Sequence, residues 1–157
     1  MAGLKVGDQA PDFSARLSDG KDFRLSDLKG KTSLILYFYP KDFTSGCTKE
    51  ACHFRDNRED LVSLNAKVIG VSRDSYESHA RFSEKYKLNF PLLSDSDGLI
   101  SKLYSAARLG GKLGVKRKTF VIDKEGIIRA IIHSETNMLA HIEKSMETLK
   151  EKKGAES

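Results

Sequence analysis

Residues Ser33–Ser72 read "SLILYFYPKDFTSGCTKEACHFRDNREDLVSLNAKVIGVS". The opening run is apolar and aromatic, of strand length and without polar alternation, which suits a strand buried on both faces of a sheet. Pro40 ends it. Phe54, Leu61 and Leu64 then recur at roughly helical spacing, which predicts a helix from about Gly46 to Asn65. "AKVIGVS", Ala66–Ser72, is a second buried run. Strand, helix and strand in this order imply a parallel βαβ unit.

Working outward, "DFSARLSDGKDFRLSDL", Asp12–Leu28, alternates around the turn signal Asp19-Gly20 and reads as a β-hairpin. On the other side, Asp74 stands three residues before Glu77, a capping-box-like start for a helix running to about Lys87. "FPLLSD", Phe90–Asp95, is a short strand, and "SDGLISKLYSA", Ser96–Ala106, a short helix followed by a glycine-rich loop. "KTFVID" and "IIRAIIHSE" flank Lys124-Glu125-Gly126 as a closing hairpin, and Leu139, Ile142, Met146 and Leu149 stripe a C-terminal helix. The expected architecture is α/β: a thioredoxin-like fold with a mixed central sheet flanked by helices and an N-terminal hairpin extension. No repeat, linker or low-complexity tract interrupts it, so residues 1–157 are expected to form one domain.

With 39% hydrophobic and 31% charged residues the composition is that of a globular protein, and no apolar run has the length of a membrane span. The N-terminus lacks a signal-peptide core, so the expected compartment is the cytoplasm, where thiols stay reduced. The net charge is +5, with basic clusters at Gly110–Lys118 and Lys150–Lys153. No aromatic residues interleave with them to stack bases, which argues against nucleic acid as a partner.

The only two cysteines are Cys47 and Cys52. Their spacing is too wide for a CxxC exchange centre and too narrow to staple distant elements. Cys47 falls in the first turn of the expected helix, after the carboxyl end of a central strand, where unpaired amides favour a thiolate. Thr44 can cap that helix and place a hydroxyl beside the sulfur, and Gly46 leaves room for backbone amides to approach an anion. Both thiols on one helix would lie about 8.6 Å apart between Cα atoms. A disulfide requires less than about 7 Å. The pair therefore closes only if the helix unwinds.

The segment "YFYPKDFTSGCTKEACHFRD" resembles the active-site segment of peroxiredoxins, in the bacterioferritin-comigratory or peroxiredoxin Q branch. Pro40, Thr44 and Cys47 meet the pattern PxxxTxxC; Cys52 meets the branch's second cysteine; Arg117 in "RKTF" meets its distant arginine. The similarity runs from "VGDQAPDF" to "TFVIDKEGIIR", nearly the whole chain. One departure is Ser45, where many members carry proline.

The resemblance implies a peroxidase acting on hydrogen peroxide and organic hydroperoxides. Cys47 would be the peroxidatic thiolate and Cys52 the resolving thiol, joined in a transient disulfide. Thr44, Gly46 and Arg117 would bind the peroxide, Pro40 would shield the sulfur, and Glu50 would orient the arginine or the substrate. A thioredoxin or glutaredoxin-like dithiol protein would act as reductant. It implies no cofactor, no metal and no membrane partner, and a monomer or at most a weak dimer. A different class of reading is a non-enzymatic holdase chaperone or redox-signalling partner, separable by peroxide turnover.

Other chemistries fare worse. Cys47, Cys52 and His53 lack a clear fourth zinc ligand, since His79, His133 and His141 are scattered. "DSDG" at Asp95 lacks the alternate acidic positions of a calcium loop and reads as a turn and helix cap. "GGKLGVK" has no GK[ST] element for phosphate.

Overall fold

The computed structural model describes residues 3–108 and 114–156. Among the described residues seven strands and five α-helices follow in order: β1 (Ser14–Arg16), β2 (Asp22–Arg24), β3 (Ser33–Phe38), α1 (Ser45–Asp56), α2 (Arg58–Ser63), β4 (Ala66–Ser72), α3 (Tyr76–Tyr86), β5 (Leu92–Ser94), α4 (Leu99–Leu103), β6 (Lys118–Ile122), β7 (Ile128–His133) and α5 (Met138–Glu156). A 3-10 turn at Leu25–Leu28 follows β2. β1 and β2 form the small hairpin. The other five strands make one mixed sheet in the order β5-β4-β3-β6-β7, with β3 parallel to β4 and antiparallel to β6. This is the thioredoxin-like arrangement that the element order predicts.

β3 is central, and all six of its residues are buried. Its period-2 alternation feeds two separate cores. Leu34, Leu36 and Phe38 join Phe13, Leu17, Leu25, Tyr104 and Phe120 on the hairpin side, whereas Ile35, Tyr37 and Tyr39 join Ala51, Phe54, Phe82, Ile142 and Leu149 from α1, α3 and α5 on the other. A side chain on Gly70 would place its Cβ 2.7 Å from Cζ of Tyr37, its partner in register on β3, so the bare backbone there admits the tyrosine ring.

Two boundaries differ from expectation. The helix predicted over Gly46–Asn65 is two helices, broken at Asn57 (φ −105°, ψ 16°). The Asn57 side chain donates to the His53 carbonyl at 2.7 Å and so competes with the backbone for the acceptor that would continue the helix. Glu59 and Asp60 then favour the first turn of a new one. The second difference is the cap of α3, which is Ser75, accepting from the Ser78 amide at 3.1 Å, and not Asp74. Asp74 is committed elsewhere: it accepts from the Asp42 amide and the Ser72 hydroxyl.

The closing hairpin β6–β7 and the C-terminal helix form as predicted. Asp95 caps α4, accepting from the Ile100 and Ser101 amides. The glycine-rich loop expected before β6, including part of its basic cluster, falls largely on residues 109–113, outside the described residues.

Candidate active site

β3 delivers the chain to the carboxyl edge of the sheet, and Pro40 to Thr44 turn it into α1. Thr44 is the N-cap by backbone conformation, and the Thr48 amide bonds its carbonyl at 2.9 Å. Cys47 is therefore the third residue of the helix, among amides that lack intrahelical acceptors. Its side chain is buried, at 1% exposure, while Cys52 is half-buried, and both are free thiols.

Arg117, the residue immediately before β6, is 5% exposed and reaches across to α1. Its Nη2 donates to Cys47 Sγ at 3.3 Å and its Nη1 to Glu50 Oε1 at 2.7 Å. Glu135, in the loop between β7 and α5, fixes the other side of the arginine. Its carboxylate accepts from the Arg117 amide at 2.9 Å and its carbonyl from Arg117 Nε at 3.3 Å. Glu135 is held in turn by Arg108 and His133.

The electrostatics follow from burial and these contacts. Burial pushes Glu50 up to about 8, although the Arg117 charge and hydrogen bond pull the other way. Burial also works against the Arg117 charge, but Glu50 and Cys47 outweigh it and leave the guanidinium above its usual range. For Glu135, burial is overcome by hydrogen bonds from the Arg117 amide, His133 and Arg108, which bring it below the usual carboxylate range.

Gly46 lies between two groups. An added Cβ would stand 2.7 Å from Met138 Cε and 3.2 Å from Arg117 Nη2, so a side chain here would push the Met138 methyl aside and crowd the arginine. Thr44 departs from expectation. It makes no side-chain cap bond, and its hydroxyl donates to the Lys41 carbonyl at 2.8 Å, because that tight turn brings an acceptor closer than the amides ahead. Pro40 is half-buried at the start of this loop.

A second buried cluster anchors the same loop. Asp42 accepts from the Tyr39 hydroxyl at 2.6 Å, the Ser78 hydroxyl at 2.9 Å and His79 Nδ1 at 2.7 Å. His79 Nε2 faces the Leu93 carbonyl at 3.1 Å. Phe43, at φ 66°, packs its ring 5.2 Å from that of Phe82 on α3.

The structure thus brings together Cys47, Glu50, Arg117 and Gly46, with Thr44 and Pro40 in the adjoining loop. Cys52, five positions along α1, makes no disulfide with Cys47. Sequence reasoning missed Glu135, His141, Met138 and the Asp42–His79 cluster. No local pattern marks them, since they meet the site only through tertiary packing. Among the described residues no group of three His, Cys, Asp or Glu side chains could hold a metal ion.

The buried Cys47 thus sits in the first turn of α1 with Arg117 on its sulfur, in a chain whose residues 6–131 match the model of the AhpC/TSA family. The chain is a peroxiredoxin of this family. It is 42% identical to peroxiredoxin Bcp of Bacillus subtilis, with 94% of this chain and 96% of that protein covered. Chloroplastic peroxiredoxin Q of Populus jackii is 40% identical, over 95% of this chain and 70% of that protein. The peroxiredoxin fold is equally close to solved structures. Peroxidoxin BcpB of Mycobacterium tuberculosis superposes with a TM-score of 0.88 at 39% identity, covering 94% and 97% of the two chains. The bacterioferritin comigratory protein of Xanthomonas campestris, in a structure addressing its alkyl peroxide reduction activity, gives 0.81 at 33% identity, covering 89% and 91%.

Proposed function

We propose that this peroxiredoxin reduces hydrogen peroxide and organic hydroperoxides through Cys47 and Cys52, and that the Arg117 Nη2 contact to Cys47 Sγ at 3.3 Å is the observation that carries the assignment. The Cys47 thiolate attacks the terminal peroxide oxygen. The O–O bond breaks, the leaving oxygen takes a proton to become water or an alcohol, and Cys47 becomes a sulfenic acid. Arg117 and the open amides around Gly46 are the donors aimed where charge develops in that step, and the Thr44 hydroxyl joins them only after turning from the Lys41 carbonyl. Pro40 limits access of water to the sulfur.

Cys52 then attacks the Cys47 sulfur, hydroxide leaves as water, and a disulfide forms. On one intact helix the two Cα atoms are about 8.6 Å apart, so α1 must unwind between them. Release of Arg117 and of Met138 from the first turn accompanies that step. A thioredoxin- or glutaredoxin-type dithiol restores both thiols by exchange. The assignment fits the cytoplasm, where reductant and free thiols coexist, and a monomer suffices because both cysteines lie on one chain. Among the described residues no helix is long and apolar enough to cross a membrane.

The test is peroxide consumption coupled to a thioredoxin system. Cys47→Ser is expected to fall to the uncatalysed background, and turnover at the wild-type rate in that variant would end the assignment. Cys52→Ser is expected to form sulfenic acid but to recycle poorly; normal recycling would remove Cys52 from the mechanism.

A further inference from the structure

Glu50 is fully buried, yet its two carboxyl oxygens live differently. Oε1 accepts from Arg117 Nη1 at 2.7 Å, whereas Oε2 has no hydrogen-bond partner. What Oε2 faces is Nδ1 of His141, on α5, at 3.6 Å. His141 is itself fully buried, and its other nitrogen, Nε2, lies 2.9 Å from the Ser134 carbonyl. A carbonyl only accepts, so the ring proton sits on Nε2. Burial pulls His141 below its ordinary value and so favours the neutral ring, in which Nδ1 carries the lone pair, with the Thr119 hydroxyl 2.7 Å away. An ionised Glu50 would point an unpaired, desolvated anionic oxygen at that lone pair, which is costly on both counts. A proton on Oε2 removes the charge and turns a donor, in place of an anionic oxygen, toward that lone pair.

We propose that Glu50 rests as a neutral carboxylic acid with its proton on Oε2, facing Nδ1 of a neutral His141, so that the Arg117 charge is left for the Cys47 thiolate. Were Glu50 ionised, the guanidinium would be neutralised from one side while it supports a second anion on the other. His141 acts as a positioning residue that selects the neutral form of Glu50.

The remaining groups around Glu50 fit this state. Cys47 on its own helix, Tyr37 on β3 and Glu135 in the β7–α5 loop would all be acidic or anionic neighbours of a carboxylate, leaving Arg117 as the one cation in direct contact with it among the described residues. Tyr37 offers no relief, since its buried hydroxyl makes no hydrogen bond. The direction of both ionisations agrees: burial raises Glu50 and, foremost among several influences, lowers His141.

The inference rests on Cys47 being the reacting thiol, but its test is read without peroxide. The thiolate titration of Cys47 is followed by ultraviolet absorbance in a Cys52→Ser background, with and without Glu50→Gln. The amide mimics the neutral acid, so the titration midpoint is expected to stay in place. A fall of about half a unit or more would mean that a negative charge had been removed beside Arg117, and would overturn the proposal.

Infrared difference spectra of the reduced wild-type protein give a second arm that needs no foldable Glu50 variant. A carboxylic-acid C=O stretch at neutral pH that moves in D2O is expected, and its absence overturns the proposal. Nitrogen NMR should show His141 as the neutral Nε2–H tautomer; an imidazolium at neutral pH contradicts it. Wild-type protein unable to turn over peroxide would sink the peroxidase assignment while leaving these readouts intact.

Discussion

Two buried polar clusters grip the segment that carries Cys47, and they are finished to different degrees. Upstream, the Asp42 carboxylate accepts three hydrogen bonds, its amide is bonded by Asp74, and both nitrogens of His79 face acceptors. Downstream, around the first turns of α1, Glu50 Oε2, Tyr37 Oη and Thr48 Oγ1 are buried without partners. A fully satisfied network rigidifies its surroundings, while an unsatisfied one stores cost that rearrangement can release. The loop before Cys47 is thus the fixed end of the catalytic segment. The helix that contains both thiols is the end able to give way.

Breaking the fixed end should show first in stability. His79→Leu takes the imidazole contact at 2.7 Å away from the buried Asp42 carboxylate, and leaving a buried polar group short of a partner costs about 1–3 kcal/mol. Denaturant unfolding would measure it. A loss below about 1 kcal/mol would mean that the cluster is not an anchor.

Breaking the other end should show in catalysis. Arg117→Met removes the donor on Cys47 Sγ and is expected to lower kcat/KM roughly 10²- to 10³-fold, read in the coupled peroxide assay. If the same variant chiefly lost stability and kept its rate, the two clusters would have exchanged roles.

A subtler difference lies in pH dependence. Burial holds folded Glu50 at about 8 against an ordinary 4.5, so between these values the unfolded chain has released this proton while the folded one keeps it. The contribution to stability is full below about pH 4.5, declines as pH rises to about 8, and is constant beyond. Glu50→Gln should flatten that part of the stability–pH curve, measured by denaturant midpoints. An unchanged slope would contradict the burial account.

The smallest effect concerns Ser45. It is the first residue of α1, and Thr44 before it is extended at φ −78° and ψ 153°, a backbone that a following proline tolerates. Ser45→Pro is expected to stabilise the protein by about 0.4–1 kcal/mol and to slow closure of the Cys47–Cys52 disulfide. Stopped-flow quenching with mass detection would report the second effect.

Much of this was legible in the residues, and what was not has physical reasons. β3, β4 and both hairpins could be read because apolar runs and Asp19-Gly20 or Glu125-Gly126 turns are local signals. Cys47 and Arg117 could be paired because a motif linked them, not because spacing did. The break at Asn57 was hidden, since it depends on a side chain outcompeting the backbone for the His53 carbonyl. The shift of the α3 cap from Asp74 to Ser75 was hidden for a similar reason: Asp74 is drawn to the Asp42 amide, 32 residues away. Glu135 and His141 carry no local mark at all. They join the site because β7 returns beside β6 and α5 folds back over α1.

Cys47 is held in an ordered first turn and, by the mechanism proposed, reaches Cys52 only when that turn is lost. Amide hydrogen exchange across Ser45–Asp56 tests it most directly, comparing reduced protein with protein oxidised by one equivalent of peroxide. The prediction is protection of the Thr48–Cys52 amides in the reduced form and its loss in the oxidised form, while Asp42 and the amides of α3 stay protected in both. An oxidised sample with the Cys47–Cys52 disulfide in place and α1 still fully protected would contradict it.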